Sequence, residues 1–145
     1  LLIDNKHPAL ADFPTADHSD WQWWSILTPS PGAVVLDQVT LKSKPIVQVI
    51  DAFSRNQKLG LAFEAKVGTG HLVICAADFS EAALQDPMRR QLHASLVRYL
   101  SKTTTPPPDE LTAAQLDQLF QDVSDNEKTI HGEWAKDLEP PPPKK

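Results

Sequence analysis

The stretch Leu59–Ala77 reads LGLAFEAKV, then GTG at Gly68-Thr69-Gly70, then HLVICAA from His71. Two apolar runs of strand length flank a short connection with glycine at each end, and glycine takes the positive φ that hairpin turns require. The stretch predicts a β-hairpin, and the fold is built outward from it. The GxG within it lacks the third glycine and the strand-to-helix setting of a dinucleotide-binding loop, so no phosphate site is expected there.

Upstream, Ala33 to Val39 and Ile46 to Asp51 are rich in valine and isoleucine and have the length of strands. Leu1 to Ile3 reads as a short buried strand, followed by a turn over Asp4 to Pro8. Pro8 suits the first position of a short helix, where its missing N–H would have had no partner. Ala9, Leu10 and Phe13 give that helix an apolar side, and Pro14 stops it. Next comes HSDWQWW, His18 to Trp24, with three of the chain's four tryptophans. Ser19 stands three residues before Gln22, the spacing of a capping box, and this predicts a helix with Trp21 and Trp24 on one face and Trp23 on another. A strand would instead pair Trp21 with Trp23. On the helical reading Trp21 and Trp24 pack, and Trp23 is the candidate for contact with a ligand. Thr28 to Gly32 then breaks the chain.

Downstream, Asp86-Pro87 predicts an N-cap followed by a first-turn proline. Met88, Leu92, Leu96, Val97 and Leu100 recur at helical spacing, with Arg89, Arg90, His93 and Arg98 on the other sides, as in a helix packed on a sheet. The run Thr103 to Pro108 reads as a stiff extended linker. Thr112 and Gln115 make a second capping box, ahead of an apolar stripe of Leu116, Leu119, Phe120 and Val123. The predicted class is α/β: a mixed sheet with a β-hairpin flanked by helices, then a proline-rich linker and a short amphipathic helix. The predicted divisions are an α/β accessory domain over 1–101, truncated at its N-terminus, a Pro/Thr linker over 102–109, the amphipathic helix over 110–124 and a disordered proline-rich tail over 125–145. The opening Leu1-Leu2-Ile3-Asp4 lacks an initiator methionine and reads as a strand already in progress, so the expectation is a piece of a longer protein.

With 145 residues and a formal charge of -5, the chain can bury one core and is too acidic to favour nucleic acid. Its 14 lysines and arginines are scattered, which argues equally against anionic membranes. No apolar run approaches the roughly 20 residues that cross a bilayer. The single cysteine, Cys75, lies in LVICAA and reads as a core thiol that forms no internal disulfide.

Candidate chemistry is sparse. Asp51 at a strand end and Glu64 inside a strand could be the carboxylate pair of a glycosidase, or a loop cap and an outward-facing side chain. His7, His18 and His71 have no ligand-like spacing, and no metal or cofactor is expected. Ser54 and Ser95 lack the GxSxG setting of a hydrolase nucleophile. The group Asp51, Ser54, Arg55 and Asn56 follows an apolar strand directly, where α/β folds commonly hold ligands; the alternative is a solvated loop. The candidate ligand-binding residues are therefore His18, Asp20, Trp23, Asp51, Arg55 and Asn56, with no catalytic residue.

Three ordered blocks carry a resemblance: DNKHPALADFPTADHSDWQWW, KPIVQVIDAFSRNQKLGLAFEAKVGTGHLVICAADF and RRQLHASLVRYL. Together they resemble the C-terminal region of bacterial β-galactosidase-like proteins of glycoside hydrolase family two over residues 1 to 101. The departures are Thr69, where lysine is usual, and Leu100, where methionine is common. The resemblance implies an accessory α/β domain following a catalytic (β/α)8 barrel, whose two glutamates hydrolyse β-linked sugars. That barrel is not in this chain, and neither glutamate maps onto Glu64. The implied partners are the catalytic domain of the parent hydrolase, a β-linked oligosaccharide and further copies in a homo-oligomer, in a periplasmic or extracellular setting. Two alternatives stand beside this one. A self-standing carbohydrate-binding module would stack Trp23 on a sugar ring, with Asp20 or Asn56 bonding its hydroxyls. A hydrolase in its own right would use Asp51 and Glu64.

Overall fold

The computed structural model describes residues 1–28 and 32–121. Pro29 to Pro31 of the breaker, Val123 of the apolar stripe and the tail over 125–145 lie outside the described residues. In chain order the elements are β1 (Leu2–Ile3), a 3-10 turn (Pro8–Leu10), α1 (Trp21–Leu27), β2 (Val34–Val35), β3 (Val47–Val49), β4 (Leu59–Val67), β5 (Gly70–Cys75), a second 3-10 turn (Ala83–Gln85), α2 (Pro87–Lys102), β6 (Glu110–Leu111) and α3 (Ala113–Leu119). The expected α/β class with a mixed sheet, a hairpin and flanking helices is what the chain adopts.

The hairpin is the spine. β4 and β5 pair antiparallel from Ala62 opposite Cys75 to Val67 opposite Gly70, so the turn is Gly68-Thr69, with Gly68 at φ 59°. The nine residues of β4 also carry the other partners: β2 and β3 pair antiparallel with its first half, and β6 pairs parallel with Lys66 and Val67 at its end. β1 extends the sheet beyond β3. β2 is shorter than its sequence run because the chain folds back at once, Val39 N–H bonding to Leu36 O while Asp37 takes the Lys58 N–H.

β4 divides the interior in two: from Ala62 onward its residues alternate between the two sides, and Leu61, next to Ala62, packs on the same side as Ala62. Ala62 and Leu61 join Ile3, Leu10, Phe13, Trp23, Ile26, Leu92 and Leu96 in a core beneath α1 and α2. Phe63 and Ala65 face the opposite way into a smaller core with Leu36, Val39, Leu111 and Leu119. The Thr103–Pro108 run thus leads into a strand and helix that cover the second face of the sheet. Asp109, buried at its end, accepts hydrogen bonds from the N–H groups of Lys42 and Ser43 and from the Ser43 hydroxyl.

The helix starts follow local chemistry. Asp86 accepts from the N–H groups of Met88 and Arg89, with Pro87 in the first turn, and Thr112 and Gln115 form the expected capping box. α1 begins one residue later than its sequence implies: Asp20, not Ser19, is the N-cap, accepting from Gln22 N–H at 3.1 Å.

Two expectations are overturned at α1 and α2. Trp23 is 0 % exposed, whereas Trp21 and Trp24 are 88 % and 66 % exposed. Ile26 sets the inward side of this short helix, and Trp23, three residues before it, follows Ile26 inward against Phe13 with rings 5.2 Å apart, edge to face. Its indole N–H donates to Thr15 Oγ1 at 2.8 Å, so the ring is buried with no polar cost. On α2, Leu92 and Leu96 are buried but Val97 and Leu100 face solvent, while Arg89 is buried. The Arg89 guanidinium donates to the carbonyls of Ser25 and Thr28, which the end of α1 leaves without helical partners. A cation thus fastens the two helices together. Cys75 is half-buried against the first core, and desolvation there pushes its thiol up to about 11.

Candidate functional site

Glu64 is placed on the α2 side of β4 by the same alternation that buries Phe63 on the other. Three donors from three separate segments converge on its carboxylate. His7, ahead of the first 3-10 turn, reaches Oε1 at 3.3 Å. His71 on β5 and the Tyr99 hydroxyl on α2 each reach Oε2 at 2.8 Å. Because His7 Nδ1 accepts the Ala9 N–H, neutral His7 carries its proton on Nε2 and donates it to Glu64. The Tyr99 ring stands between the two imidazoles, with centroids 5.5 Å from His7 and 5.6 Å from His71, edge to face in both pairs.

The cluster opens onto a cavity of about 560 Å³ between α2, the first 3-10 turn and the Thr103–Pro108 run. Asp12 and Arg98 lie in its wall as an ion pair at 2.9 Å, and Lys102 stands one helical turn beyond Arg98. A second cavity of about 460 Å³ lies against Lys66, Thr69 and His71, with Thr103, Thr105 and Pro106 as the wall common to both.

The electrostatics decide what Glu64 can do. Burial pushes its carboxyl upward, but hydrogen bonds from His7, Tyr99 and His71 and the His7 charge outweigh burial and hold it at about 2. Burial and the bond to Glu64 push the Tyr99 phenol up to about 12. Around neutrality the carboxylate is ionised and the phenol protonated. A glycosidase pair needs one carboxyl raised toward neutrality. Asp51 does not supply it, since the Gln57 N–H above all, with the Ala52 N–H and Arg55, holds it below the usual carboxylate range. Nor does Asp51 line the cavity that Glu64 lines.

The six residues singled out in the sequence fall into two groups with separate partners. His18 is exposed and bonded to Asp17 at 2.8 Å, Asp20 caps α1, and Trp23 is buried beneath it. Asp51, Arg55 and Asn56 share the loop between β3 and β4, where Asp51 bonds Arg55 at 2.8 Å and Asn56 takes a left-handed φ of 52°. Trp23 has no surface to offer a sugar. The sequence reading passed over Glu64, His7, His71 and Tyr99 as a group. One signal was available: in the hairpin register His71 lies opposite Lys66, diagonal to Glu64 on the same face.

The fold and this cluster define an α/β domain whose cleft is organised around a carboxylate that accepts three side-chain hydrogen bonds. The chain belongs to the family described as Domain of unknown function (DUF8487), which it matches over residues 1–121. No curated protein matches it.

Proposed function

We propose that the chain is a non-catalytic accessory α/β module of a β-galactosidase-like hydrolase of glycoside hydrolase family two, working by contact with the catalytic part. The observation that carries the reading is the outer face of α1. Trp21 and Trp24, three residues apart on one side of the helix, stand in solvent while Trp23 and Ile26 anchor the other side in the core. Large aromatic rings held rigidly at a surface are the side chains that dominate contact energies in protein interfaces. The three sequence blocks that resemble the accessory region support the assignment, and a cleft carboxylate locked by three donors supports a role without bond cleavage.

The same two exposed rings, which follow the exposed polar pair Asp17 and His18 in the sequence, favour a second reading: a module that stacks β-linked oligosaccharides on Trp21 and Trp24 in place of Trp23. One experiment separates the two. The chain is mixed with the catalytic part of the parent hydrolase and followed by sedimentation, and separately titrated with β-linked oligosaccharides and followed by tryptophan fluorescence. Association that Trp21→Ala and Trp24→Ala weaken about tenfold, a change of about 1.4 kcal/mol, supports the contact module. A saturable fluorescence shift lost in those variants replaces it with the sugar module, and neither result discards both.

A further inference from the structure

We infer that the outer edge of β5 is a self-pairing surface, on which the same strand of a second copy of this chain docks antiparallel about a two-fold axis at Val73. This inference is independent of the accessory-module reading, since it rests on the hairpin alone.

The register fixes which peptide groups face outward. Ala76 N–H bonds to Leu61 O across the hairpin at 2.8 Å, one step beyond the Ala62–Cys75 pair. Antiparallel ladders alternate, so the peptide groups of Ile74 and Leu72 also point toward β4, and those of Cys75, Val73 and His71 point away from it. Among the described residues β5 pairs with β4 and with no other strand. Three successive outward peptide units therefore stand along an edge, with Val73 in the middle.

That spacing is self-complementary. A two-fold axis at Val73 sets Val73 opposite Val73 of the second copy and His71 opposite Cys75 in both directions, and every one of these residues has its N–H and C=O turned toward the seam. An axis at Leu72 or Ile74 would place groups already bonded to β4 at the centre.

The chemistry of the strand points to the same occupant. Edge strands of solitary domains are usually guarded by lysine, proline or a bulge. From Gly68 to Ala77 there is no Lys, Arg, Asp, Glu or Pro, and the β4–β5 register runs without interruption. The ring of His71 is turned to Glu64 and does not guard the edge. Two copies with a formal charge of -5 each repel over most of their surface, but along this strand no like charges meet. Joining the two edges would merge two mixed sheets into one continuous sheet through the dimer.

The test is made on the whole 145-residue chain. Sedimentation velocity over a range of protein concentrations is combined with residue-resolved amide hydrogen exchange at the two ends of that range. The expected result is a monomer that becomes a dimer, with the amides of His71, Val73 and Cys75 slowed about tenfold or more in the dimer while those of Leu72 and Ile74 are unchanged. Val73→Pro removes the central donor and is expected to abolish the dimer, whereas Val73→Ile keeps the donor and the dimer. A monomer at every concentration overturns the inference, as does a dimer in which those three amides exchange as they do in the monomer. Because exchange is read on the unmodified chain, the test holds even if the proline variant fails to fold.

Discussion

Tyr99 donates its phenolic hydrogen to Glu64 Oε2 at 2.8 Å, and this one bond ties the last turn of α2 to the central strand of the sheet across the floor of the larger cavity. Hydrogen bonds to an ionised partner contribute more than neutral ones, and this one is largely shielded, with the Glu64 side chain 10 % exposed. Tyr99→Phe keeps the ring between the two imidazoles and removes only the donor. The expected outcome is a loss of about 2 kcal/mol in urea unfolding at neutral pH with an unchanged m-value.

Acid should unfold the domain through the same carboxylate. Glu64 is held at about 2 against an ordinary 4.5, so its contribution to stability is complete above pH 4.5 and is lost as pH falls toward 2. A shift of that size corresponds to roughly 3 kcal/mol. Stability measured from pH 6 down to pH 2 should therefore fall more steeply in the natural chain than in Glu64→Gln, which has no proton to take up at that site. Parallel curves for the two proteins would show that other carboxylates carry the acid transition.

The hairpin was legible from the sequence because both of its determinants are local: two apolar runs of strand length and a glycine at the turn. The caps at Asp86 and Thr112 were legible for the same reason, each being a side chain within three residues of the N–H it satisfies. What could not be read depended on distant partners. Arg89 looks like a surface residue until α1 presents two unsatisfied carbonyls to it. The inward tryptophan was misassigned because a helix of seven residues offers too few positions to fix its apolar side, and Ile26 decided it. The Glu64 cluster gathers residues 7, 64, 71 and 99, and only the Glu64–His71 part follows from hairpin register.

The three tryptophans of α1 should separate cleanly in a stability series. Trp23→Ala empties a fully buried ring site and removes the indole donor to Thr15, for an expected loss of about 3 to 5 kcal/mol. Trp21→Ala removes a ring that already stands in water, and a change within about 0.5 kcal/mol is expected. Chemical denaturation of the two variants side by side checks the order. If Trp21→Ala were the more damaging, the outward face of α1 would be part of the core and the contact surface proposed for it would be lost.

Asp109 is the pin that holds the end of the Thr103–Pro108 run against the sheet. Its carboxylate is buried, yet the Ser43 hydroxyl and the N–H groups of Lys42 and Ser43 hold it below the usual carboxylate range despite that burial. Its own carbonyl accepts the Lys66 N–H at 2.8 Å, just before β6 joins β4. Asp109→Ala leaves the N–H groups of Lys42 and Ser43 without their acceptor in a part-buried setting, and a donor left unmet away from water costs about 1 to 3 kcal/mol. The expected loss is about 2 to 4 kcal/mol, accompanied by faster amide exchange at Lys42, Ser43 and Lys66 while the amides of α2 keep their protection. The pattern of exchange is the discriminating measurement. If the carboxylate fastens this edge, its loss should release β6 and α3 from the second core before the hairpin opens, whereas uniform acceleration across the chain would make Asp109 a support of the whole fold.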